Sequence, residues 1–147
     1  MTRWLDEEQQ QTWRAYLAAT TSLQAGLDAQ MQAEAGMPHT YYEVLVRLSE
    51  APGRRLRMSA LADAAGSSRS RLSHAVAQLE TRGWVRREPC PSDRRGQVAV
   101  LTDDGLAALA QAAPGHVEQV RRLLIDRLTT EQVRALRAIC EAILPGV

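Results

Sequence analysis

Lysine is missing from this sequence: all 18 of its basic residues are arginine. A GC-rich genome accounts for that choice, so the positions of the arginines carry more information than their type. Cysteine is nearly missing too. Cys90 and Cys140 stand far apart in the chain and suggest neither a disulfide framework nor a zinc-binding pair. No run of 18 apolar residues occurs, which excludes a membrane-spanning helix. The opening Met1–Glu8 turns acidic at once and has no apolar stretch, so no secretory signal is read and a cytoplasmic location is expected. Nucleophile–base constellations, phosphate-cradling glycine loops and metal-ligand spacings are also lacking. No catalytic residue, metal or cofactor is therefore expected, and an enzyme is disfavoured. Internal repeats and low-complexity tracts are not found.

What remains is 147 residues, 45% apolar, enough for one domain-sized core. The net charge of +1 hides a segregation. Residues 54–95 hold ten arginines against four acids, a local charge of +6, and the rest holds eight against thirteen, or −5. A basic middle is the footprint expected of a polyanion-binding surface.

Hydrophobic periodicity predicts a long first helix from Asp6 to about Ala35, with Trp13, Tyr16, Thr20, Leu23, Leu27 and Met31 on one face. Gly36 and Pro38 end it. Thr40 and Glu43 have the spacing of a capping box opening a second helix, closed by Ala51-Pro52-Gly53. Leu56–Met58 allows only a bridge of strand. A short helix from Ser59 stops at Gly66, and Ser67 caps the next, which runs through Arg82 to Gly83. Trp84–Glu88 and Gln97–Leu101 read as strands flanking a long arginine-tipped loop, Pro89–Gly96. Thr102-Asp103-Asp104 opens a helix that Pro114-Gly115 should kink or break, and a capping box at Thr129–Gln132 opens the last. The fold class expected is mainly α (α+β), a winged helix-turn-helix between terminal helices whose apolar stripes call for a second copy.

The chemistry resides in two places. A major groove about 12 Å wide admits one helix, and the helix at Ser67 leads with Ser67, Ser68, Arg69, Ser70 and Arg71, followed one turn on by His74. Serines anchor phosphate and arginine forks read guanine. The loop presents Arg94 and Arg95, which can enter a minor groove, and Asp93, placed to pair with one of them. Arg86 is a further candidate contact. Arg54, Arg55 and Arg57 are either phosphate contacts or plain surface.

Leu61-Ala62, Ser67–Leu79, Gly83-Trp84-Val85, Ser92–Gly96 and Leu101-Thr102 with Gly105 resemble the multiple-antibiotic-resistance regulator (MarR) family over nearly the whole chain. The most specific match is the wing signature Asp93-Arg94-Arg95-Gly96. The resemblance implies that Arg95 is a minor-groove arginine oriented by Asp93. It also implies one MarR-like domain over 1–147, with dimerisation helices at about 6–35 and 103–147 and the winged element at about 40–102. The protein is then expected to regulate transcription, as a repressor, by binding pseudo-palindromic double-stranded DNA as a homodimer. Many members release DNA on binding a small aromatic effector. Candidate pocket residues are Trp13, Tyr16, His39, Tyr41 and Tyr42, with His116 considered beside them, between terminal helices and DNA-binding lobe. Two other readings stay open: an interaction module that has lost DNA, and a redox sensor working through Cys90.

Overall fold

The computed structural model describes residues 1–146; Val147 and the side chain of Arg94 lie outside the described residues. The chain forms helices α1 (Glu7–Ala35), α2 (His39–Glu50), α3 (Met58–Ala65), α4 (Arg69–Thr81), α5 (Asp103–Leu123) and α6 (Thr130–Ile143). Strands β1 (Arg55–Arg57), β2 (Val85–Cys90) and β3 (Asp93–Leu101) make one antiparallel sheet in the order β1-β3-β2. Among the described residues no helix is long and apolar enough to cross a membrane. Contacts divide the chain into a central unit, Asp28–Gly115, and a terminal unit, Met1–Leu27 with His116–Val147.

The central unit has a core in which Met31, Leu45, Leu48, Leu61, Val76 and Leu79 are fully enclosed. The sheet contributes Val85, Ala99 and Leu101 to that core from one face. Period-2 alternation turns Val98, Val100 and Cys90 to the other face, where they form a separate small cluster. Helix-turn-helix geometry depends on Gly66, whose φ of 60° and ψ of 28° end α3 in a left-handed conformation that costs glycine nothing. The Ser68 hydroxyl then accepts the Arg71 N–H at 3.2 Å and caps α4. The cap is thus one residue later than Ser67, where it was expected.

Three further local expectations are corrected. The capping box at Thr40 does not form. Helix α2 begins at His39, and the Asp28 carboxylate of α1 accepts the His39 N–H at 3.0 Å, so a distant side chain caps the backbone there. The long loop between β2 and β3 shrinks to Pro91-Ser92, because pairing resumes at Cys90↔Asp93. Pro89 still pairs with Gln97, so Arg94–Gly96 are surplus to the ladder and bulge from β3. Helix α5 runs on through Pro114, so the break that was one of the two outcomes expected there does not occur. At its start, a side chain on Gly105 would collide with the Trp84 carbonyl, so only glycine lets α5 approach the strand this closely.

In the terminal unit, Gln119 Nε2 donates to the Gly26 carbonyl at 3.3 Å, and Leu123 packs against Gly26. Thr129 and Gln132 form the reciprocal capping box expected of them, at 2.9 and 3.1 Å. Helix α6 buries none of its residues in this single chain, and Cys140 and Ile143 are exposed.

Candidate nucleic-acid interface

The N-terminal half of α4 projects Arg69, Ser70, Arg71 and His74 into solvent, with Ser68 at its tip and Ser67 half-buried behind it. On one side of the helix lies a hollow of about 610 Å³, lined by Arg57, Arg69, Ser73, Asp93, Arg95 and Gly96 among others. On the other side a hollow of about 630 Å³ is bounded by Tyr41, Ser67, Ser68, Ser70, Arg71 and His74 among others. Eight of the ten expected contact residues therefore gather around one helix end and the wing beside it. The Arg94 side chain lies outside the described residues, so its expected contact has no counterpart here.

Arg86 does not join them. It projects from the sheet face opposite the core, and its Nε donates to Glu88 Oε1 at 2.9 Å. Arg55 Nη2 reaches the other Glu88 oxygen at 2.7 Å. The Arg86 hydrogen bond, with the Arg55 charge beside it, holds the Glu88 carboxyl below its usual range. Asp93 is also redirected. Its Oδ1 accepts the backbone N–H of Arg95 at 3.0 Å, and its Oδ2 faces Arg57 Nη2 at 3.4 Å. The carboxylate fixes the Arg95 backbone and leaves the Arg95 guanidinium unpaired.

Pairing sorts the basic residues. Arg54 meets Asp103, Arg55 and Arg86 share Glu88, Arg57 meets Asp93, and Arg87 meets Glu80. Arg82 donates to the Gly36 carbonyl and lies over the Trp84 ring at 5.1 Å. Among the described residues of this basic stretch, the guanidinium groups of Arg69, Arg71 and Arg95 alone have no such partner. Their positions are the leading turn of α4 and the wing bulge.

Cys90 is buried beneath the wing, with Sγ 3.4 Å from Ser92 Oγ. That hydrogen bond, aided by the charge of Arg57, lowers the thiol pKa. Of the expected aromatic pocket residues, Trp13 and Tyr16 belong to the terminal unit and His39, Tyr41 and Tyr42 to the central one. Trp13 and Tyr16 stack at 6.1 Å on an exposed face of the terminal unit. His39 and Tyr42 are buried in the central unit, where burial pushes the Tyr42 phenol up. Only Tyr41 borders the hollow beside α4. Among the described residues no three histidine, cysteine or acidic side chains converge as a metal set would.

A chain from Streptomyces coelicolor, the MarR family transcriptional regulator Sco3205 in complex with DNA, is 55% identical. The match covers 99% of this chain and 94% of that one, at a TM-score of 0.89. The chain belongs to the MarR family. The family's sequence model matches residues 35–96, from the end of α1 through the wing. AbsC, another MarR family regulator of S. coelicolor, is 44% identical over 97% of this chain and 98% of its own, with a TM-score of 0.84. The transcriptional regulator HosA of Escherichia coli O111:H- is 38% identical over 91 residues. That match takes in 62% of this MarR-family chain and 65% of HosA, so just under two thirds of the curated relative is spanned.

Proposed function

We propose that this protein is a sequence-specific regulator of transcription that binds double-stranded DNA through α4 and the wing and performs no catalysis. The observation that carries the reading is the sorting of the arginines. A guanidinium already paired with a carboxylate has little to offer a phosphate, whereas Arg69, Arg71 and Arg95 are open to one. Capping by Ser68 leaves the positive end of the α4 dipole turned toward the same surface. The DNA held by Sco3205 supports this assignment.

The same proposal makes the protein a homodimer and a repressor by occupancy. The terminal unit exposes Trp4, Trp13, Tyr16, Leu17, Ile139 and Ile143, with Trp4 at 87% and Ile143 at 66%. Large apolar side chains exposed in such number mark an interaction surface, and a second copy supplies a matching one. Two α4 helices related by a dyad then enter successive major grooves about 10 base pairs apart. A small aromatic effector has Tyr41 available in the hollow behind α4, where occupancy would act directly on Ser67–Arg71.

The test is fluorescence anisotropy with the intergenic DNA beside the gene and with shuffled DNA of equal length, at two salt concentrations. Preference for the intergenic DNA, a steep salt dependence and weakening by Arg71→Ala are expected. Equal, weak binding to both duplexes would move the interaction-module reading to the front.

A further inference from the structure

Arg57 lines the hollow beside α4 with Arg69 and Arg95, and it touches the wing at two points. Its Nη2 meets Asp93 Oδ2 at 3.4 Å. The same nitrogen lies only 3.2 Å from where a side chain would begin at Gly96. Between these two contacts stand Arg94 and Arg95, two of the three surplus residues of the β3 bulge. The other oxygen of Asp93 holds the Arg95 N–H. Arg57 is the last residue of β1, paired in register with Val98, and α3 starts at the next residue. A continuous path thus runs from the first residue of α3 through Arg57 and Asp93 to the backbone of Arg95.

We propose that Arg57 is a positioning residue for the wing: it anchors Asp93 and so sets the direction in which the Arg95 side chain leaves the bulge. The inference rests on the DNA-binding reading above. A bulge with three surplus residues has many conformations, and an ion pair at its base favours a subset of them before DNA arrives. Gly96 is glycine for the same reason. Its φ is not in the left-handed region, so no backbone strain requires glycine there. A methyl group would stand 3.2 Å from the Arg57 guanidinium and 3.4 Å from the Cys90 Cβ, so the guanidinium, the mobile end of a long side chain, must give way by a few tenths of an ångström beside its 3.4 Å contact with Asp93.

The experiment combines Arg57→Gln, Arg57→Lys, Gly96→Ala and Arg95→Ala, with the double variant Arg57→Gln/Arg95→Ala, in anisotropy titrations of the full chain on the intergenic duplex across a salt series. A positioning role gives about a three- to tenfold loss for Arg57→Gln, no further loss once Arg95 is gone, and a salt slope unchanged from wild type. Gly96→Ala loses affinity as Arg57→Gln does, and Arg57→Lys recovers part of it by keeping a cation at Asp93. Additive losses with a shallower slope for Arg57→Gln mean that Arg57 meets phosphate itself, which overturns the proposal and leaves the DNA reading intact. A silent Arg95→Ala overturns the wing assignment and the positioning role together.

Discussion

The outer face of the wing sheet and the leading turn of α4 carry arginine at similar density, and they differ in what the arginines face. On the sheet, Arg55 and Arg86 straddle Glu88, Arg57 reaches Asp93, and their stems share a face with the buried Val98 and Val100. On α4, Arg69 and Arg71 extend into solvent beside Ser68 and Ser70, and among the described residues neither forms an ion pair with an acid. The sheet arginines behave as amphipathic roofing over apolar residues, closed by ion pairs. The helix arginines are held only by the backbone beneath them, and their donors are open. Net charge along the sequence cannot separate the two roles; pairing across strands does.

Substitutions at the two places should therefore diverge most in DNA affinity. Arg71→Ala removes an open fork and is expected to cost about 1–3 kcal/mol of binding, while Arg86→Ala changes affinity less than about twofold. Anisotropy titrations of the two variants side by side check the contrast, and equal losses would erase it. Salt dependence sharpens the same point. Arg69→Ala should shrink the slope of log K against log salt by about 0.9, the share of one phosphate contact, and Arg55→Ala should leave it unchanged.

Stability should diverge in the opposite sense. Glu80 accepts both the N–H and the Nε of Arg87 at 3.2 Å and ties α4 to β2 where Arg87 is mostly covered. Glu80→Ala is expected to cost about 1–2 kcal/mol in a urea melt, with little change in DNA affinity per folded molecule. The smallest effect belongs to Glu88. Its folded pKa is lowered, so its contribution is present above the unfolded carboxylate range and is lost as pH falls through the folded value. Wild type and Glu88→Gln should differ slightly in melting temperature at neutral pH and converge in acid. A gap that widens in acid would mean the pairing is misassigned.

Much of this was legible in the sequence, because the signals are local. Gly66 and Gly83 punctuate α3, α4 and the wing as expected, and both take positive φ. Ser67–Arg71 and His74 share one end of one helix, as their spacing requires. What escaped depends on partners distant in the chain. The Asp28 carboxylate caps α2 from 11 residues away, which displaced the expected capping box. Arg57 and Asp93 are 36 residues apart and meet only because β1 pairs with β3. Strand alternation puts Arg86 and Arg87 on opposite faces, but which face is covered, and that acids meet both, required the sheet. The bulge at Arg94–Gly96 was hidden because proline and glycine mark a turn without fixing its register.

Under the DNA-binding reading proposed above, arginines left unpaired, and not the number of arginines, define the DNA surface. The most direct measurement is the affinity of Arg95→Ala and Arg86→Ala for the intergenic duplex, each titrated through the same salt series as wild type. Arg95→Ala should bind more weakly with a shallower salt slope, and Arg86→Ala should overlay wild type. Matching losses in both variants, or none in either, would contradict it.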